Sequence, residues 1–225
     1  MSILFAYPDL LGQAIPIEEN EVPVLVIENS RALRSLLLDL QLQKSGLSGQ
    51  ALFSCNGKDI KFANVDFLVD VVNLDLNSKN LLTKLISSLE HRTAQADYFD
   101  PVGKVNRAVQ ELLLLLSEDF DVEFTYTDQL DIKALLKICG IQFAEISSEY
   151  LESLCNYLLL SRILLKTEVF VLVNLKLILD AEELKNLYQF LEYHKIKILL
   201  LEGLETDRFP IEKYYIIDKD LCVIY

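Results

Sequence analysis

The chain has 225 residues and a formal net charge of −13; 52% of it is hydrophobic, with no tryptophan, 7 glycines and 5 prolines. That composition excludes a disordered chain or a repetitive fibre, and the length allows one large domain or two small ones around a real core. The charge excludes nucleic-acid binding spread over the whole surface, because releasing counterions from phosphate needs a basic footprint. A DNA partner would require positive charge concentrated by fold or by assembly.

The opening MSILFAYPDLLGQAIPIEE has no basic segment ahead of an apolar one, so no secretory leader is expected. In VPVLVIENSRALRSLLLDL a β-branched run ends in a polar tip and a helical pattern follows at once, with Ser30 as the expected N-cap. That is the strand–turn–helix in which phosphate-binding proteins cradle a nucleotide. The turn Glu28, Asn29, Ser30, Arg31 has neither the glycines that expose backbone N–H groups nor the lysine that neutralises phosphate. QALFSCNGKDIKF predicts a hairpin around Asn56-Gly57.

From NVDFLVDVVNLDLNS to about Lys137 helices are expected to dominate. One starts at the Asn77-Ser78 cap with Leu81, Leu82, Leu85, Ile86 and Leu89 at helical spacing, and another has Pro101 at its first position. FDVEFTY alternates like a strand, and DQLDIKALLKICG predicts a short helix closed by Gly140. SSEYLESLCNYLLLSRILLK predicts a long helix. EVFVLVN and IKILLLEG lack polar alternation, which predicts parallel strands buried on both faces. Between them, DAEELKNLYQFLEYHK opens on Asp180 and Glu183, an acidic capping box. KYYIIDKDLCVIY supplies one or two last strands. The expected fold is an α/β head with a parallel-rich sheet, residues 1–62 and 145–225, and an inserted α-helical leg, residues 63–144. The longest apolar runs, ELLLLLSED and VFVLVNLKLILD, fall short of a bilayer span, so the reading is a cytoplasmic protein with no membrane contact.

Few residues suggest catalysis. Neither Gly57-Lys58 nor Gly103-Lys104 has a glycine five positions before its Gly, and the strand that would carry a metal-binding carboxylate ends in Asn174. His91 and His194 are the only histidines, and no nucleophile motif accompanies them. Cys55, Cys139, Cys155 and Cys222 show neither C-x-x-C nor zinc-finger spacing. SEDFDVEFTYTDQLD, by contrast, supplies Glu118, Asp119, Asp121, Glu123, Asp128 and Asp131 with no basic residue among them. Crowded carboxylates need a cation or solvent to screen them. A hard cation such as calcium and a solvated acidic turn are both open readings. Basic residues share helical faces in small sets: Lys84 with Arg92, Lys104 with Arg107, Lys133 with Lys137. Each set could equally form surface ion pairs, such as Arg107 with Glu111.

FAYPDLLGQAIPIEENEVPVLVIENSRALRSLL, NGKDIKFANVDFLVDVVNLDLNSKNLLTKL, ELLLLLSEDFDVEF and LLKTEVFVLVNLKLILDAEELKNLYQFLEYHKIKILLLE together resemble the Csn-two family, the small protein of the type II-A CRISPR adaptation module. The resemblance runs almost end to end and rests on the order of these segments, none of which is a catalytic motif. It implies a head like a P-loop NTPase core without its phosphate loop, and a helical leg. It further implies a non-catalytic homotetrameric ring with a lysine-lined hole that threads double-stranded DNA ends, held by calcium on leg carboxylates. The implied partners are the CRISPR integrase pair and the effector nuclease, in acquisition of new spacers. No nucleotide ligand is implied. Carried onto this chain, the resemblance nominates Glu118, Asp121 and Glu123, then Asp119 and Asp128, as calcium ligands. Placement on the leg nominates Lys84, Arg92, Lys104, Arg107, Lys133 and Lys137 for DNA. The alternatives are a protein-binding scaffold of the adaptation complex and a metal-dependent nuclease or NTPase.

Overall fold

The computed structural model describes residues 2–122, 124–144 and 149–224. Its first strands, β1 (Ile3–Ala6) and β2 (Ile15–Ile17), pair antiparallel, and β1 also pairs antiparallel with β4 (Leu52–Cys55). β4 turns back into β5 (Lys58–Asp59) through Asn56 and Gly57, both at positive φ (50° and 72°), as a two-residue hairpin turn requires. These four strands make a small sheet in the order β2-β1-β4-β5.

The larger sheet uses β3 (Val22–Ile27), β6 (Val65–Leu68), β7 (Val169–Val173), β8 (Ile198–Glu202), β9 (Glu212–Ile217) and β10 (Val223–Ile224). Its order is β10-β9-β3-β8-β7-β6, and every pairing is parallel except β9 with β10. All residues of β3, β7 and β8 are buried, which is why those runs show no polar alternation. Their side chains still divide with period two. Leu25, Ile27, Val171, Leu199 and Leu201 join a core completed by helix α1 (Ser30–Lys44) and the small sheet. Val24, Val26, Phe170, Leu172 and Leu200 face a second core with helices α5 (Tyr150–Leu160) and α6 (Ala181–His194).

The chain divides into two compact units, Met1–Leu76 with Glu145–Tyr225, and Asn77–Ala144. The expected boundary at 62/63 lies earlier than this division, because Val65–Leu68 is a strand of the large sheet rather than the start of a helical run. The helical unit holds α2 (Lys79–Thr93), α3 (Ala96–Ser117) and α4 (Ile132–Ile138). Its two ends are tied together: the Asn77 amide donates to the Phe143 carbonyl (3.1 Å) and accepts from the Phe143 N–H (2.8 Å).

Several local expectations are corrected. Asn29, not Ser30, caps α1; its side chain accepts from Arg31 N and Ala32 N, both at 3.1 Å. Pro101 lies inside α3, which already begins at Ala96, and Ser78 caps α2 without a side-chain hydrogen bond. FDVEFTY forms no strand among its described residues, because the segment has no neighbouring strand to pair with. The long helix after residue 149 ends as a π turn, Ser161–Leu165, closed by Lys166 in the left-handed conformation. No helix of the described residues is long and apolar enough to cross a membrane.

A candidate nucleic-acid interface on the helical unit

In the large sheet, connections leave β3 toward β6 and β8 toward β9, so the crevice of a doubly wound fold lies at the carboxyl ends of β3 and β8. At that point the chain's own groups engage one another. The Gly203 N–H donates to Asn174 Oδ1 at 3.0 Å, and a Cβ on Gly203 would stand 3.2 Å from Leu33 Cδ2. The first amides of α1 are taken up by the Asn29 cap, and the Asn29 amide donates to the Lys219 carbonyl at 2.8 Å. Glu28 stands where a phosphate loop would place glycine. The strand–turn–helix is present, and the Arg31 and Ala32 amides at the start of its helix are bonded to the Asn29 side chain.

The six basic residues nominated for DNA lie on all three helices of the helical unit, where α2 packs against both α3 and α4. Their environments differ. Lys104 is paired with Asp100 at 2.7 Å, one helical turn away on α3, and both side chains are largely exposed. Lys133 reaches from α4 to Glu90 on α2 at 3.0 Å, which fastens the two helices. Arg107 does not meet Glu111 in an ion pair; its Nε donates to the Gly103 carbonyl at 3.4 Å. Among the described residues Lys84, Arg92, Arg107 and Lys137 form no ion pair, and all four are exposed. Of the six nominated residues, these four have no ionic partner among the described residues.

The acidic segment is held by two residues that sequence reading did not single out. Asn106 and Gln110, one turn apart on α3, both donate to the Asp128 carbonyl, at 3.0 and 2.5 Å, and Asn106 accepts from Leu130 N at 3.1 Å. Two amides at i,i+4 are common on helix surfaces, so the spacing alone carries no signal. Asp128 and Arg107 thereby line one open pocket of about 460 Å³ with Gln110, Glu111, Leu114 and Tyr126.

Glu118 is the C-cap of α3 and Asp131 the N-cap of α4, where its carboxylate accepts from Ala134 N at 3.0 Å. Asp119, Asp121 and Asp128 are exposed, and Glu123 lies outside the described residues. Among the described residues no three Asp, Glu, His or Cys side chains gather closely enough to hold a metal ion. The described carboxylates of one chain therefore do not by themselves fit a calcium site.

α3 contains no buried residue, and Leu112, Leu114, Leu115 and Leu116 are all exposed. Phe99, Phe120, Val122 and Ile138 add to the apolar surface of this unit.

Comparison with known proteins adds the following. A family model described as CRISPR-associated protein (Cas_Csn2) matches residues 43–221. A curated protein from Enterococcus faecalis, described as CRISPR-associated protein Csn2, is 22% identical over 214 residues, spanning 93% of this chain and 94% of its own. Among solved structures, a putative ABC transporter ATP-binding protein from Pyrococcus furiosus is similar with a TM-score of 0.43 and 16% identity, covering 95% of this chain and 97% of its own. An ATP-binding subunit of an ABC transporter is similar with a TM-score of 0.42 and 12% identity, over 91% of this chain and 80% of its own.

Proposed function

This chain belongs to the CRISPR-associated Csn2 family, and on that premise we propose that it binds ends of double-stranded DNA, without sequence preference and without catalysis, as a homotetrameric ring. Membership carries a role in CRISPR adaptation and antiviral defence, and the family is not a known enzyme family. The integrase pair and effector nuclease are the proposed protein partners.

One observation carries the reading: α3 has no buried residue, and four of its leucines are exposed. Leu112, Leu115 and Leu116, at i, i+3 and i+4, share one side of α3, and an exposed apolar face of that kind marks a surface that another molecule covers. A second copy of the chain covers it without requiring a different partner, and closed symmetry repeats the same sparse set of cations around one axis. Lys84, Arg92, Arg107 and Lys137 become a continuous basic lining only in such an assembly. That resolves the conflict between a net charge of −13 and a DNA ligand.

Contacts of this kind reach phosphates rather than base edges, so affinity is salt-dependent and indifferent to sequence. The R107A/K137A double variant tests the assignment. Removing two phosphate contacts per chain lowers the slope of log K against log salt by about 1.8 for each chain engaged. An unchanged slope removes this pair from the DNA surface.

Calcium is a separate proposal. It rests on the concentration of Glu118, Asp119, Asp121, Glu123 and Asp128 in one segment, not on a gathered site, and no step of DNA binding is routed through it.

A further inference from the structure

The amino ends of β7 and β8 lie side by side, at the end of the sheet opposite the carboxyl ends of its strands. The residues that enter those strands bring basic groups together. Arg162 lies in the π turn before β7 and Lys166 closes that turn. Lys195 closes α6, and Lys197 immediately precedes β8. All four line one pocket of about 290 Å³ together with Glu19 and Glu168. Four cations thus face two carboxylates, in a chain whose overall balance is strongly acidic.

The carboxylates are already engaged. Glu19 pairs with Lys197 at 3.4 Å, and Glu168 accepts from the Asn64 amide at 2.7 Å. Among the described residues Arg162, Lys166 and Lys195 form no ion pair. The backbone adds a second observation. Lys166 and Lys195 both adopt the left-handed conformation, with φ of 60° and 52°. Glycine takes that conformation freely and is the usual residue where a helix closes this way; a lysine there carries a steric cost. A cation near a helix C-terminus is favourable in itself, but any residue of the last turn can supply it. Charge is thus held at the two positions where it is conformationally least convenient.

We propose that this pocket is a second phosphate-binding site of the protein and takes a phosphodiester of the DNA backbone on the α/β unit, in addition to the helical cations. The proposal rests on the DNA-binding reading above. A planar guanidinium and ammonium groups around an open, polar pocket fit a phosphate held without base contact. The site is no remnant of a nucleotide pocket, because it lies at the amino rather than the carboxyl ends of the strands.

The test is K166G/K195G in the full chain. Glycine suits both backbone positions, so the thermal midpoint stays the same or rises while two charges are lost. Binding to a short linear duplex is measured across a salt series, and thermal protection by inorganic phosphate is measured alongside. The proposal expects the duplex salt slope to fall by about 1.8 per engaged chain, and phosphate protection to weaken in the same variant. If the wild type binds duplex and the variant keeps its slope, the site is overturned and the DNA reading stands. If the wild type binds no duplex, both fail. Phosphate protection lost in the variant, in a chain that binds no duplex, overturns the DNA assignment in favour of a small anion.

Discussion

Glu202, at the carboxyl end of β8, is 1% exposed, and its Oε1 accepts from Lys176 N at 3.2 Å while its Oε2 has no partner. Lys176 is itself buried and turns its ammonium elsewhere, to Glu212 at 2.8 Å and the Asp207 carbonyl at 2.6 Å. Tyr188 also donates to Glu212. Burial is the largest influence on Glu202 and outweighs the donors from Lys176 and Leu175, so its carboxyl is pushed up from 4.5 to about 7. A folded-state value above the unfolded one means that the native state holds the proton more tightly. The stabilisation is complete below pH ~4.5 and is lost as pH rises through ~7. E202Q keeps an acceptor on Lys176 N and cannot ionise. The variant should match the wild type near pH 4.5 and exceed it by up to roughly 3 kcal/mol at pH 8. Urea melts of both proteins at the two pH values check this; equal stability at pH 8 would show that the carboxylate is ionised in the fold without cost.

Among the elements, α3 stands apart: none of its residues is buried or joins either core. Leu112 and Leu115 are 56% and 63% exposed, so changing them removes little buried area from the isolated unit. L112Q/L115Q should lower the mass in solution, read by light scattering on a sizing column, while leaving the thermal midpoint of the dissociated chain unshifted. An unchanged mass would exclude this face from self-association. The elements of the α/β unit were legible in the sequence because local chemistry and burial agree there. β3 and β7 are uninterrupted apolar runs, β8 is apolar up to Glu202, and Asp180 and Glu183 form both bonds of a capping box around the start of α6; in the helical unit Gly140 likewise takes φ 63° after α4. The misses have a common cause. Val65–Leu68 became a strand by pairing with β7, a hundred residues distant, and FDVEFTY alternates correctly but has no edge to join. Of the candidate interface, the cations of α2, α3 and α4 could be read from helical spacing, but their ion pairs could not. The Lys133–Glu90 contact depends on how α4 lies on α2, and the basic pocket of Arg162, Lys166, Lys195 and Lys197 depends on the register of β7 with β8.

Three observations on the whole chain point in different directions: membership of the CRISPR-associated Csn2 family, a formal net charge of −13, and a parallel-rich sheet whose first helix has its Arg31 and Ala32 amides taken up by Asn29. In the proposed ring, a duplex enters over a free end. The most direct measurement is binding to linear and covalently closed circular duplexes of the same sequence, each with calcium and with a chelator. The expected result is binding to the linear duplex and none to the closed circle. Loss on chelation would add calcium to the assembly, and persistence would remove it. Equal affinity for the closed circle would contradict the ring, because DNA without ends can be held only on an open surface.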